Sequence, residues 1–453
     1  MKSFLFLLDL YIALCYTHYN ANVEKNQSLF SAISNLFARR IFMNQSKKKY
    51  IAIIFLSWLA YLISYLGRND YSACLLEIVN SMGITRTSAG MVSSSFALCN
   101  AIGQLISSII INKIPPLKLI AVEIFSVAAI NLLFPASDNL YIMMLLWGIN
   151  GVMQATLLCG VTRIFSETLE EPWLSRGAVS LNTIGAVGGM INYLLCPLLI
   201  RFFRWQTVFF TVSTMLFLLG VVWCLIMPKL TAEKKKMKSE KNIPVEGQSK
   251  SIFVVIGSKG VVWALLAVFV IGSLRESVSL WIPSYLNEEF QLSVTLSMAI
   301  TAFVPMLQIC GALLAGRVGR KTKNLFLPSM IAFLLSTSCF IVIQSIGTAT
   351  VIAVVLLFVI NAISMTAALT FLLSLYPIRC MDRKNIAKLV GILNFCVHLG
   401  DFAASTGFGW LSIVGGWKWT FSVMTFLAFS AAIISLIGIR VENKREYESK
   451  ISD

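Results

Sequence analysis

Residues 51–76, IAIIFLSWLAYLISYLGRNDYSACLL, and residues 261–286, VVWALLAVFVIGSLRESVSLWIPSYL, decide the fold. Each is apolar over the roughly 20 residues that a helix needs to cross a bilayer. Each also carries one arginine well inside it, Arg68 and Arg275. A guanidinium keeps its proton, so burying it in hydrocarbon costs about 3 kcal/mol or more unless it faces water or an anion. Two arginines at corresponding places in two such stretches point to an anion site in the middle of a membrane protein.

The rest of the chain agrees with that reading. Of its 453 residues, 57% are hydrophobic and 13% charged, with a mean hydropathy of +0.79. A water-soluble domain of that composition would expose large apolar patches. The expected fold is an all-α integral membrane protein with twelve transmembrane helices, near 50–76, 88–112, 117–136, 140–165, 178–200, 206–227, 259–284, 294–316, 325–345, 350–376, 386–413 and 418–439.

The net charge of +16 does not mark a nucleic-acid binder, because the charges are sorted by loop. Of the 37 Lys and Arg residues, 29 fall in one set of alternate loops, and only Arg86, Arg201, Arg204 and Lys418 fall in the other set. By the positive-inside rule the segment before the first span, the central loop and the C-terminus are cytoplasmic, and the expected location is the cell membrane, crossed many times. The ten cysteines show no metal-like spacing and read as small apolar helix residues. Neither a metal nor a cofactor is expected.

Residues 228–258 form the one long polar interruption and split the spans six and six. The expected organisation is an N-terminal extension (1–46), a six-helix bundle (47–227), a basic cytoplasmic linker (228–258), a second six-helix bundle (259–440) and a cytoplasmic tail (441–453). The start of the chain reads three ways: as a dispensable extension or mis-called start with Met43 as the true beginning, as an interfacial helix, or as a signal segment interrupted by Asp9.

Residues three, four and seven apart share a helix face, so Tyr61, Tyr65 and Arg68 point the same way. Hydroxyl-bearing rings beside a guanidinium suit an oxyanion. Y-x3-Y-x2-R in the first span, Arg275 six residues before W-x-P-x-Y-L (281–286), and Gly103-Gln104-x7-Asn112-Lys113 together resemble the organophosphate/phosphate antiporters of the major facilitator superfamily. Gly151-x2-Gln154 with Arg163, the Arg176-Gly177 to Gly188-Gly189 stretch and Gly407-Phe408-Gly409 extend the resemblance over about 47–440. It implies two pseudo-symmetric six-helix bundles rocking about a midplane site, with Arg68 and Arg275 binding the phosphate.

The departures bear on the substrate. Gln104 stands where the phosphate transporters carry a lysine, Gly185 where they carry a histidine, and Leu158-Cys159-Gly160 where they carry W-P-P. Less positive charge favours a monoanion over a dianion. The chain also adds ionisable groups: Asp70 and Glu276 flank the arginines, and His398 and Asp401 share a face of the eleventh span. The last two read either as proton-coupling residues or contacts to a substrate amine, or as an ion pair that neutralises an arginine from a neighbouring helix. Asp70 could also sit where the first span approaches water.

The loop GALLAGRVGRKTKN (311–324) resembles the superfamily's cytoplasmic gate motif, with Arg317, Arg320 and Lys321 matching and Gly316 in place of the acid. Lys113 lies in the pseudo-equivalent loop. No nucleophile elbow or phosphate-cradling loop is present, and an enzyme is not expected.

The sequence therefore predicts a monomeric secondary transporter of a small organic anion. A phosphorylated sugar or glycerol phosphate exchanged for inorganic phosphate ranks first. A proton-coupled carboxylate or zwitterion carrier, or a non-transporting receptor for phosphorylated ligands, are the alternatives. The expected site is Tyr61, Tyr65, Arg68 and Gln104 from one half, with Arg275, Asn394, His398 and Asp401 from the other.

Overall fold

The structure, a computed structural model, describes residues 23–110, 114–170, 173–181, 183–235, 256–257, 260–346, 350–381 and 383–452. The side chains of 23–46 and of some residues in later helices, Glu276 among them, lie outside that description, as does Lys113. Residues Met1–Ile53 and Ile54–Asp453 form two compact units, and the packing described below is that of the second.

Eleven described helices are long and apolar enough to cross a membrane. They are span one (Lys47–Met82), two (Arg86–Ser107), three (Pro116–Ala136), four (Leu140–Thr168), six (Gln206–Ala232), seven (Val261–Phe290), eight (Val294–Lys321), nine (Phe326–Ile346), ten (Val351–Cys380), eleven (Lys388–Val414) and twelve (Gly416–Lys444). Span five holds a shorter apolar helix, Val187–Phe202, within Ile184–Phe202. The expected helical membrane architecture is therefore present.

Several spans are interrupted without stranding backbone groups, as a bilayer requires. Span four turns at Ala155 and Thr156, whose N–H groups donate to Gly151 O and Met153 O at 3.2 Å each. Span eight turns at Ala302, which donates to Ala299 O. Span ten passes through a wider π segment at Thr370–Leu375.

Aromatic clusters fill each half. Phe134 stacks on Phe209 at 5.0 Å and packs against Trp147 at 4.9 Å. In the other half Tyr285 meets Phe290, Phe358, Trp417 and Phe421 edge-on. Such pairs add about 0.5–1.5 kcal/mol each beyond area burial. Large apolar residues such as Leu133, Phe217, Ile352 and Phe426 are exposed on the outside, as lipid-facing residues are.

Spans seven and eleven approach until backbones touch. A methyl at Gly272 would collide with the Val397 carbonyl, and one at Gly400 with the Phe269 carbonyl. Ser273 Oγ donates to Gly400 O at 3.1 Å, and Trp281 Nε1 donates to Ser405 O at 3.1 Å. Small residues are how membrane helices get this close. We therefore expect Gly272→Ala and Gly400→Ala each to destabilise the fold by about 1–3 kcal/mol. Gly391→Ala, on the same helix in open space, should change nothing. Melting curves in detergent check this.

Candidate functional site

Arg68 sits on a turn of span one that three other helices grip. Asn150 Nδ2 donates to Gly67 O at 2.9 Å, Asn131 Nδ2 reaches the same oxygen at 3.4 Å, and Asn192 Nδ2 donates to Leu66 O at 2.9 Å. All three asparagines are buried. Asp70 is fully buried too, and its Oδ1 accepts from the Tyr71 N–H at 2.7 Å. It does not lie where span one meets water, and no ion pair to it exists among the described residues. Gly67 admits this grip because a methyl there would press on Asn131 Nδ2 at 3.0 Å.

From that turn the Arg68 guanidinium lies over the Phe96 ring at 5.1 Å and the Tyr65 ring at 5.8 Å, within cation–π reach. It lines a polar cavity of about 40 Å³ with Asn69, Ser72 and Ser93 of the first half and Asp401 and Ser405 of the second. Asp401 Oδ1 accepts from Ser405 Oγ at 3.0 Å. Tyr65 lines a neighbouring cavity of similar size with Gln308 and Tyr193. Either space fits little more than water, so the halves must part to admit a sugar-sized solute.

The other expected lining residues are placed differently. Gln104 is engaged across the halves: it accepts from Asn394 Nδ2, lies 3.1 Å from His398 Nε2, and donates to Asn100 Oδ1 at 2.9 Å. His398 is buried, within the fields of both Arg68 and Arg275. Arg275 is half-buried, and its carbonyl accepts from Ser279 Oγ. Tyr61 is half-buried on span one, outside both cavities. Trp281 and Tyr285, from the motif after Arg275, are packing residues.

The two ends of the bundle differ. At one end Arg86 Nη1 of the first half meets Glu288 Oε2 of the second at 2.7 Å. Trp417 Nε1 donates to the same oxygen at 2.9 Å, with Arg86 over its ring at 5.3 Å. Two turns deeper, Ser94 Oγ donates to Phe402 O at 2.6 Å and lies 2.7 Å from Thr406 Oγ1. At the opposite end the bonds that Arg163 and Arg379 make to the residues named next lie within their own halves. Arg163 pairs with Glu167 at 2.7 Å and reaches Ile114 O. Arg379 caps the end of span eight through the carbonyls of Gly319, Thr322 and Lys323. Arg317, Arg320 and Lys321 are exposed there.

Sequence reasoning passed over the asparagine grip, Gln308, Arg379, Glu288 and the buried Glu123, which takes a hydrogen bond from Ser64 Oγ at 3.2 Å. Lone Asn or Glu residues inside the apolar runs of spans three to five were the available signal, by the logic applied to the arginines.

The comparisons with known proteins bear on this geometry. The chain matches the family profile of the Major Facilitator Superfamily over residues 57–405. It is 23% identical over 176 residues to the membrane sensor protein UhpC of Salmonella typhimurium, covering 38% of this chain and 39% of that one. It is 24% identical over 418 residues to the hexuronate transporter of Bacillus subtilis, covering 87% and 94%. To a probable hexose phosphate transport protein of Chlamydia muridarum it is 22% identical over 303 residues, covering 60% and 65%. Its fold superposes on an inward-facing, unoccupied bacterial homologue of the human lysosomal transporter Spinster with a TM-score of 0.71, at 13% identity over 87% of this chain and 98% of that one. The chain belongs to the Major Facilitator Superfamily.

Proposed function

We propose that the chain carries a small organic anion across the membrane by alternating access, with Arg68 and Arg275 as the cationic partners of the anion. The observation that carries this reading is the Arg68 cavity, a polar space lined by both halves. A phosphorylated sugar or glycerol phosphate exchanged for inorganic phosphate is the first reading. The motif resemblance and the likeness to the Chlamydia protein support it. Asp401 in the same cavity favours a second reading, a monoanionic carboxylate moved with a proton, because its carboxylate offsets one arginine. The hexuronate transporter's long match points the same way.

The charge bias of the loops orients the protein in this reading, with Arg86 outside and Arg163 and Arg379 inside. The Arg86–Glu288–Trp417 contact then closes the outer end, and the halves separate towards the cytoplasm. An anion bound between arginines of the two halves favours the closed arrangement over the open ones, which is the differential interaction that lets a ligand shift the balance.

Counterflow in proteoliposomes preloaded with inorganic phosphate tests the first reading. Labelled glycerol-3-phosphate or hexose-6-phosphate should enter only with internal phosphate, and Arg68→Ala and Arg275→Ala should abolish entry. Arg275→Lys, losing one charged hydrogen bond of about 1.5–3 kcal/mol, should weaken uptake about 10- to 100-fold. Full uptake by the Arg275→Lys protein at low substrate sinks the paired-arginine site. Glucuronate uptake driven by a proton gradient, with no phosphate exchange, selects the second reading.

The outer contact has its own test, in a cysteine-free background with a single cysteine at Ser93. Arg86→Glu and Glu288→Arg should each speed its labelling by an impermeant maleimide added outside. The double swap should slow labelling again, whereas equal labelling in all four proteins removes the contact from gating.

A further inference from the structure

The second cavity is enclosed by spans one, five, seven and eight, and it shares Asn69, Ser72 and Leu280 with the Arg68 cavity. The two spaces are therefore adjoining compartments with different chemistry. The first holds Arg68 and Asp401, whereas among the described residues no charged side chain lines the second. Its polar groups are the amides of Asn69 and Gln308 and the hydroxyls of Ser72, Tyr65, Tyr193 and Ser279.

Three of these polar groups have no partner among the described residues. Tyr193 Oη donates to Ser279 O at 3.1 Å, across the halves. The side chains of Asn69, Ser72 and Gln308 make no hydrogen bond among the described residues. All three are part-buried around one space, where they are placed to bond a ligand that offers donors and acceptors in return. The room has a local cause. Gly185 leaves it open, since a methyl there would meet only Tyr65 Oη at 3.6 Å and Cζ at 3.9 Å. Gly189 lets Pro305 of the other half come close, a methyl there being 2.7 Å from its Cβ.

We infer that this second cavity is a neutral subsite for the uncharged, hydroxylated body of the transported anion, with Gln308 and Asn69 setting specificity while Arg68 holds the charged head. Amides both donate and accept, and so match a polyol. Tyr65 adds a hydroxyl-bearing ring to the same lining. The inference rests on the anion-carrier reading above, and it holds whether the head is a phosphate or a carboxylate.

The test is binding to the purified full chain, followed by ligand-induced thermal shift. The probes are paired: inorganic phosphate with glycerol-3-phosphate and hexose-6-phosphate, and acetate with glucuronate. In the wild type the hydroxylated member of a pair should bind more tightly than its bare head. Gln308→Ala should weaken the hydroxylated member about 3- to 10-fold and leave the bare head within about twofold. Gly185→Leu, which fills the space, should do the same, and retained binding of the bare head shows that each variant is folded. Equal binding of both members by wild type, or equal loss of both in the variants, overturns the subsite and leaves the arginine reading intact. If Arg68→Ala binds every probe as wild type does, the arginine reading has failed and the subsite falls with it.

Discussion

A guanidinium at mid-membrane is the constraint around which the rest is organised. Arg68 cannot be neutralised by losing its proton, so its position must be fixed against a strong tendency to move towards water. The chain meets this with backbone rather than with a counter-charge. Asn131, Asn150 and Asn192, from three helices, hold the carbonyls of Gly67 and Leu66 immediately before the arginine. Asp70 takes up the Tyr71 N–H one turn later. Interhelical hydrogen bonds of this kind contribute about 0.6 kcal/mol each in membranes. Their value here lies in register, because they set the height and rotation of the turn and leave the side chain facing the cavity.

Register matters because the cavity lies between two bodies that must separate. The halves meet through small residues: a methyl on Gly90 would lie 2.5 Å from Ser405 O, and one on Gly409 would lie 2.8 Å from Arg86 O. Side-chain bonds at that end are few, and the Arg86–Glu288 pair is partly exposed. A pair of that exposure contributes about 0–1 kcal/mol. A contact surface made of close backbone approach, the Ser94 bonds and one weak ion pair can come apart at modest cost, whereas interlocked large side chains could not.

The fold was legible because a bilayer leaves few choices: long apolar runs, loop charges sorted by side, and an interruption at the middle. At the site, Arg68 and Asp401 could be found from one signal, a charge inside an apolar run, and the structure sets both on one cavity. That signal says nothing about neutral amides. Gln308 is unremarkable in a run such as FVPMLQICGALL, and only the packing of spans five and eight gives it a role. Nor does helix periodicity show partners across halves. Gln104, Asn394 and His398 were expected to line the site between the halves, and Gln104 bonds the other two across that boundary.

That amide cluster changes what closure costs. A lysine at position 104 would bring an ammonium against span eleven, and the halves could close there only with an anion between them. Gln104 is neutral, accepts from Asn394 and lies within hydrogen-bond distance of His398. The halves therefore come together at this level without a ligand to cancel charge. Neutral hydrogen bonds contribute about 0.5–1.5 kcal/mol each, enough to favour closure and small enough to break again when the halves part. The substitution that lowers the positive charge of the site thus also lowers the barrier to closing it empty. A carrier confined to exchange needs that barrier high, whereas one that returns empty needs it low.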